Sequence, residues 1–119
     1  MLRLAETLVM LAAGADEQVA WCRRHGWGVD ELALDFDWAR SWVVRNVDEQ
    51  APGLLSPLLH DVLERIDDRL EAMSGEADAG TWTPRGLAVD PEWEEVRRLA
   101  RRALAEMAGP VRVPRPEEL

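Results

Sequence analysis

Residues 30–47 read DELALDFDWARSWVVRNV and form the densest apolar segment of the chain, so we expect the fold to be built around them. At about 100° per residue, one helical side collects five apolar residues: Leu32, Phe36, Ala39, Val43 and Val47. A second apolar set falls roughly opposite: Leu34, Trp38 and Trp42. The first set predicts a core face. The second set predicts either a second core face, enclosed by neighbouring helices, or a surface that meets a partner.

On both sides of this segment, apolar periodicity and stop signals predict further helices and no strand. The predicted helices cover residues 2–13, 15–26, 30–47, 57–74 and 91–108. Asp16, Asp30, Ser56 and Asp90 are the predicted N-caps of the later four helices. The sequence therefore predicts an all-α, single-domain bundle of about five helices in residues 1–109, followed by a flexible tail in residues 110–119.

The fourth and fifth predicted helices each carry one apolar stripe, the pattern of a helix packed on a core by one face. The stripe of the fourth consists of Leu59, Val62, Leu63, Ile66, Leu70 and Met73. That of the last consists of Trp93, Val96, Leu99, Ala100, Ala103, Leu104 and Met107. Between them, residues 75–90 predict an ordered loop with one helical turn starting at Thr83 and Pro84, and with Trp82 held on the core.

The charge of the chain is strongly acidic and concentrated in its middle. Fourteen basic residues against 23 acidic ones give −9, and residues 30–80 alone hold 13 acidic residues against 4 Arg. Nucleic acid is excluded as a partner on this ground, because its binding depends on neutralising phosphates with Lys and Arg. The acidic block predicts either a solvated surface or a surface that steers a basic protein partner.

Sequence motifs for catalysis or cofactors are lacking. Cys22 is the single cysteine, which excludes an internal disulfide and indicates a buried thiol in a cytoplasmic protein. The apolar run 8–13 is too short for a signal peptide core or a membrane span. His25 and His60 lie on different predicted helices, and Asp67 and Asp68 are expected to point apart. We therefore predict no catalytic residue, no cofactor and no membrane association.

The predicted partner-binding residues combine the tryptophan side of the central helix with carboxylates. They are Leu34, Asp35, Asp37, Trp38 and Trp42 on the central helix, with Glu64, Asp67 and Glu71 on the fourth. Trp is large and amphipathic and is enriched at interfaces, and the carboxylates would accept Arg or Lys of a partner. The alternative is a core position for both tryptophans, with Arg45 stacked on a ring.

Two clusters of charged residues are better explained as solvated surface than as binding sites. His60, Glu64, Asp67 and Glu71 share a helix flank where a metal is chemically allowed, but a solvated face explains them and no metal is predicted. Four arginines are expected on the outer side of the last helix: Arg97, Arg98, Arg101 and Arg102. Glu residues at helical spacing pair with them, which we prefer to a site for an acidic ligand.

The C-terminal half shows a resemblance that rests on a few short motifs. Met73-Ser74-Gly75, Trp82-Thr83 and the run Pro91, Trp93, Val96, Arg97 are similar to motifs of small actinobacterial helical proteins. This resemblance implies no catalytic residues. By composition, the chain also resembles bacterial immunity proteins, which are small and acidic and bind a cognate toxin.

Three functions follow, in order of preference. The first is a non-catalytic interaction module, immunity-like or antitoxin-like, that inhibits a basic protein partner. The second is a small-molecule binding protein with a tryptophan-lined apolar pocket. The third is a helical enzyme.

Overall fold

A computed structural model describes residues 2–48, 50, 53, 55–107 and 114–119. The described residues form six α-helices and no strand. These helices are α1 (Leu2–Ala12), α2 (Ala15–His25), α3 (Glu31–Val43), α4 (Pro57–Ala72), α5 (Pro84–Val89) and α6 (Pro91–Met107). A π-helical turn, Val44–Asp48, extends α3, and 3-10 turns cover Glu76–Trp82 and Pro116–Glu118. The all-α class is confirmed: within the described ranges, five helices are longer than one or two turns, and α5 is the expected short one.

Side-chain caps start three of these helices. Ser56 Oγ accepts the Leu59 N–H at 3.1 Å, and Thr83 Oγ1 accepts the Gly86 N–H at 3.0 Å. At α6, Asp90 Oδ1 accepts the Glu92 N–H at 2.9 Å. These bonds satisfy backbone donors that the first turn of a helix leaves unpaired.

One predicted cap, Asp16, is wrong, and another, Asp30, has the predicted position but makes no capping hydrogen bond. α2 begins at Ala15 with Gly14 as its N-cap, so Asp16 lies within the first turn, where its negative charge still favours the helix dipole. Asp30 does precede α3, but its backbone is already helical and its side chain makes no capping hydrogen bond. A cap needs an extended backbone to aim its oxygen at the next N–H groups, and Asp30 lacks that conformation.

Four longer helices, α1, α3, α4 and α6, form a bundle. α1 contacts α3 on one side and α6 on the other, and α6 in turn contacts α4. α3 and α4 complete this bundle as neighbours that touch each other over only a short stretch, while α2 packs on α5. This order buries one side of α3, against α1. Among the described residues, no helix combines the length and apolar character needed to cross a membrane.

The predicted apolar stripes form the core. On α3, Leu32, Phe36, Ala39 and Val43 are buried, and Val47 is half-buried against them. All six members of the α4 stripe are buried. On α6, five of the seven are buried and Leu104 and Met107 are partly covered.

Two tryptophans fix the loop before α5. Trp82 Nε1 donates to the Met73 carbonyl at 2.7 Å, and Trp93 Nε1 donates to the Thr81 carbonyl at 2.7 Å. The two rings meet edge to face, with centroids 5.2 Å apart. The predicted attachment of the loop to the core through Trp82 is confirmed.

Arg97 was predicted on the outer side of α6, and this is wrong: only 4% of the residue is exposed. Its Nε and Nη2 atoms donate to Gln18 Oε1 at 3.2 and 2.9 Å, and Nη2 also donates to the Leu87 carbonyl. Nη1 lies 3.1 Å from a Glu94 carboxylate oxygen. The guanidinium therefore joins α6 to α2 and α5 from inside the fold.

Gln18 extends this buried network to α1. Its Nε2 donates to the Met10 and Leu11 carbonyls at 3.0 and 3.2 Å, at the end of that helix. Arg97 reaches Gln18 because it lies four residues after buried Trp93, in the same helical row. The other predicted outer arginines of α6 are exposed: Arg98, Arg101 and Arg102.

At the C-terminus, the structure describes residues 114–119. Leu119 is partly buried against the core after the turn Pro116–Glu118. The predicted stop of the last helix at Gly109 and Pro110 lies outside the described residues. Flexibility of the tail stays a prediction.

Candidate functional site

The two tryptophans of α3 are exposed. Leu34, Trp38 and Trp42, which we call the tryptophan face, are 55%, 59% and 44% exposed. They follow one another by one helical turn on the side of α3 that faces away from its buried stripe. The sequence left two interpretations of these residues open, and the one that places them in a second core face is therefore wrong. The face is free to meet another molecule.

A groove runs between α3 and α4 beside this face. It consists of two depressions of about 310 Å³ and 280 Å³ that share Ala33, Leu34 and Ser74. We call them together the α3–α4 groove. The first depression is lined in addition by Asp37, Asp67, Leu70 and Glu71, and the second by Asp30 and Trp82. Leu34 thus belongs both to the tryptophan face and to the groove.

Three predicted partner-binding carboxylates, Asp37, Asp67 and Glu71, come together in this groove. Arg40 Nη1 of α3 lies 3.4 Å from Asp67 Oδ2 of α4, and both side chains are about one-third exposed. Within the described part of the chain, neither Asp37 nor Glu71 has an ion-pair partner. The groove therefore offers two carboxylates that an incoming cation can pair with.

The structure separates the other two predicted carboxylates from the groove. Asp35 pairs with Arg3 of α1 and lines a different pocket, because its position directly before buried Phe36 turns it toward α1. Glu64 is exposed on α4, one turn before Asp67, and does not line the groove. Its charge adds only to the field around the site.

Asp67, Asp68 and Glu71 form an acidic cluster. One carboxylate oxygen from each lies within 4.8 Å of the other two, so the expectation that Asp67 and Asp68 point apart is wrong. Hard cations prefer such oxygen ligands. Asp68 and Glu71 are exposed, however, and exposed acidic groups are common without an ion. We assign the cluster to the negative potential of this side of the molecule and not to a metal centre.

A second aromatic cluster was not predicted from the sequence. His25 stacks on Trp27 with ring centroids 4.4 Å apart, and Trp21 meets both rings edge to face. Gly26, with φ at 68°, ends α2 and turns the chain back so that Trp27 returns to the helix. The available signal was the spacing of Trp21 and His25, one turn apart, directly before a glycine.

The pocket beside this cluster is small, about 150 Å³. Besides the three rings, it is lined by Arg3, Glu6, Met10, Asp35 and Leu119. The Arg3 guanidinium pairs with Asp35 and lies 3.6 Å from Glu6, so the charges at its mouth are largely matched within the chain.

Cys22 is buried, as predicted, and its thiol donates to the Gly28 carbonyl at 3.8 Å. Burial raises the pKa of this thiol, and the nearby Asp30 carboxylate raises it further, since both disfavour the thiolate. A thiol held protonated is a poor nucleophile. Cys22 therefore acts as a packing residue.

The comparisons with known proteins contribute no identification. Neither protein-family models, nor curated proteins, nor solved structures gave a match to this chain.

Proposed function

We propose that this protein is a non-catalytic interaction module that binds a basic protein partner through the tryptophan face and the neighbouring carboxylates. The exposure of Trp38 and Trp42 carries the proposal. Large aromatic side chains supply much of the binding energy of protein interfaces, and burying one on association yields about 1.5–3 kcal/mol. A toxin held inactive by an immunity-like or antitoxin-like inhibitor is the partner class that we favour.

The charge distribution supports a basic partner. The net charge is −9, and the carboxylates of Asp37, Asp67 and Glu71 lie directly beside the tryptophan face. A negative field of this kind accelerates encounter with a positive protein and disfavours negative ones. We therefore expect the association rate with the partner to fall steeply as salt is raised.

Affinity purification with three baits tests the proposal. The baits are the wild type, a double variant with Trp38→Ser and Trp42→Ser, and a control with Trp27→Ser. Trp27 is 43% exposed but lies in the other aromatic cluster. We expect a basic protein to bind the wild type and the control and to be lost from the double variant, whose circular dichroism remains that of the wild type.

Stopped-flow association of the purified partner at low and high salt completes the test. An unchanged rate would contradict the steering role of the acidic surface. Equal retention of the partner by the double variant would remove the tryptophan face from the interface.

Small-molecule binding, the second function expected from the sequence, has weaker support. The tryptophan-lined pocket at Trp21 and Trp27 measures about 150 Å³. Sites for drug-sized ligands usually span about 300–1,000 Å³. The observation in favour is that Trp27 lines this pocket, and quenching of tryptophan fluorescence by a metabolite, abolished in Trp27→Ser, would support it.

A further inference from the structure

We propose that the α3–α4 groove binds two neighbouring side chains of the partner, one apolar side chain and one arginine. The inference rests on the proposed function and specifies the chemistry of the segment that enters the groove. It follows from the different linings of the two depressions and from the residues that they share.

The depression next to Trp82 suits an apolar side chain. Ala33, Leu34 and Trp82 supply most of its lining, and Asp30 and Ser74 supply the polar part. The indole N–H of Trp82 is already used by the Met73 carbonyl at 2.7 Å, so the ring contributes apolar surface to the groove. With about 280 Å³, this depression has room for an apolar side chain.

The depression next to Asp37 suits a guanidinium. Asp37 on α3 and Glu71 on α4 line it together, and neither forms an ion pair with any residue that the structure describes. Arg40 shows that a guanidinium can bridge these helices, because it lies on α3 and pairs with Asp67 of α4 at 3.4 Å. Arginine fits two carboxylates better than lysine, since its planar fork presents several donors at once.

The two depressions share Leu34, Ala33 and Ser74, so the two partner side chains must lie next to each other on one face. On a helix, this condition is met by residues three or four positions apart. A partner helix that carries Leu and Arg at that spacing, and lies along the groove, satisfies both linings. Recognition of an amphipathic helix by a groove is a recurrent binding mode.

Model peptides test this directly, without the natural partner. The probe is an alanine-based, tryptophan-free helical peptide with one Leu and one Arg four residues apart. Matched peptides replace Arg by Glu or Leu by Ser. In ¹H–¹⁵N correlation spectra of the labelled protein, we expect the Leu–Arg peptide to shift the Leu34, Ser74 and Trp82 indole signals saturably.

Charge-neutral variants provide the control. Asp37→Asn combined with Glu71→Gln should weaken binding of the Leu–Arg peptide at least tenfold. Glu17→Gln combined with Glu106→Gln changes the net charge equally at exposed positions away from the groove, and should leave the affinity within twofold. Equal weakening by both pairs would reduce the effect to overall charge and overturn the proposal.

Two further outcomes also overturn it. One is equal shifting of the groove signals by the Arg and Glu peptides. The other is a protein dimer in sedimentation equilibrium that Leu34→Ser abolishes, since a second copy would then be the occupant. The proposed function is tested separately by Trp38 and Trp42, which do not line the groove. If the variant with Trp38→Ser and Trp42→Ser loses the partner, but the Leu–Arg peptide shifts none of the groove signals of the wild type, the groove proposal alone is rejected.

Discussion

Replacement of Arg97 by Ala should strongly destabilise the fold, because it leaves two buried acceptors without their donor. These acceptors are Gln18 Oε1 and the Leu87 carbonyl. An unsatisfied buried polar group costs about 1–3 kcal/mol, so the two together cost roughly 2–6 kcal/mol. The Glu94 pair adds little, since the Glu94 side chain is 63% exposed. We expect a loss of about 4 kcal/mol, a large part of the roughly 5–15 kcal/mol that stabilises a typical domain.

Urea unfolding followed by circular dichroism and tryptophan fluorescence measures this loss, provided that the slope of the free energy against urea is unchanged. Arg98→Ala is the matched control: Arg98 is exposed and pairs with Glu95 three residues before it. Its removal should leave the free energy of unfolding almost unchanged, since exposed ion pairs contribute little. A cost below about 1 kcal/mol for Arg97→Ala would refute the assignment of Arg97 to a buried network.

A double-mutant cycle separates the network from simple loss of volume. Arg97→Met and Gln18→Met each preserve most of the apolar contact area. Residues joined by hydrogen bonds show coupling of about 0.5–3 kcal/mol, so the double variant should be less destabilised than the sum of the single ones by at least 1 kcal/mol. Strict additivity would show that the two side chains contribute independently.

Two further predictions concern the segment before α6. Gly86→Ala should destabilise the fold by about 1–3 kcal/mol, since the new Cβ would lie 2.4 Å from the Gly80 and Thr81 carbonyl oxygens. Gly80→Ala is the control: no atom lies within 4 Å of its Cβ, so the melting temperature should hardly change. The pKa of the Asp90 carboxyl is lowered by two hydrogen bonds that it accepts: the larger effect comes from the Thr81 hydroxyl and the smaller from the Glu92 N–H. A carboxyl group whose pKa is lowered by folding stabilises the fold at pH values above its pKa in the unfolded chain, about 3.9. This stabilisation is lost as the pH falls through the pKa of the folded state. The urea midpoints of wild type and Asp90→Asn should therefore converge on acidification, and a gap that stays constant down to about pH 2 would contradict the role of the Asp90 charge.

The sequence predicted the elements of the fold because each depends on local chemistry. Periodicity alone placed Phe36 in the core, and Ser56 followed by Pro57 marked the start of α4 correctly. The cap at Asp16 failed because Gly14, two residues earlier, also permits a helix start. Such choices depend on how α1 leads into α2, which is a tertiary property.

The candidate site was only half predictable. A helical wheel shows that Trp38 and Trp42 share a side of α3, but it does not show which helix, if any, covers that side. Asp35 and Asp37 look equivalent in sequence, yet Asp35 turns toward Arg3 and Asp37 lines the groove. Arg97 was misplaced because a charge within an apolar row was read as surface, although a buried guanidinium is allowed when its donors are satisfied.

The open groove and the exposed tryptophan face have a common physical origin. If α3 moved onto α4, the carboxylates of Asp37, Asp67 and Glu71 would lose water and approach one another, and both effects are unfavourable. The Arg40–Asp67 pair compensates only one of these charges. The apolar stripe of α4 is already buried, so closing the groove would bring little apolar surface from that helix into contact. A partner that supplies positive charge removes the repulsion and can bury Trp38 and Trp42 in the same step, which is why we place cation recognition and aromatic contact at one surface.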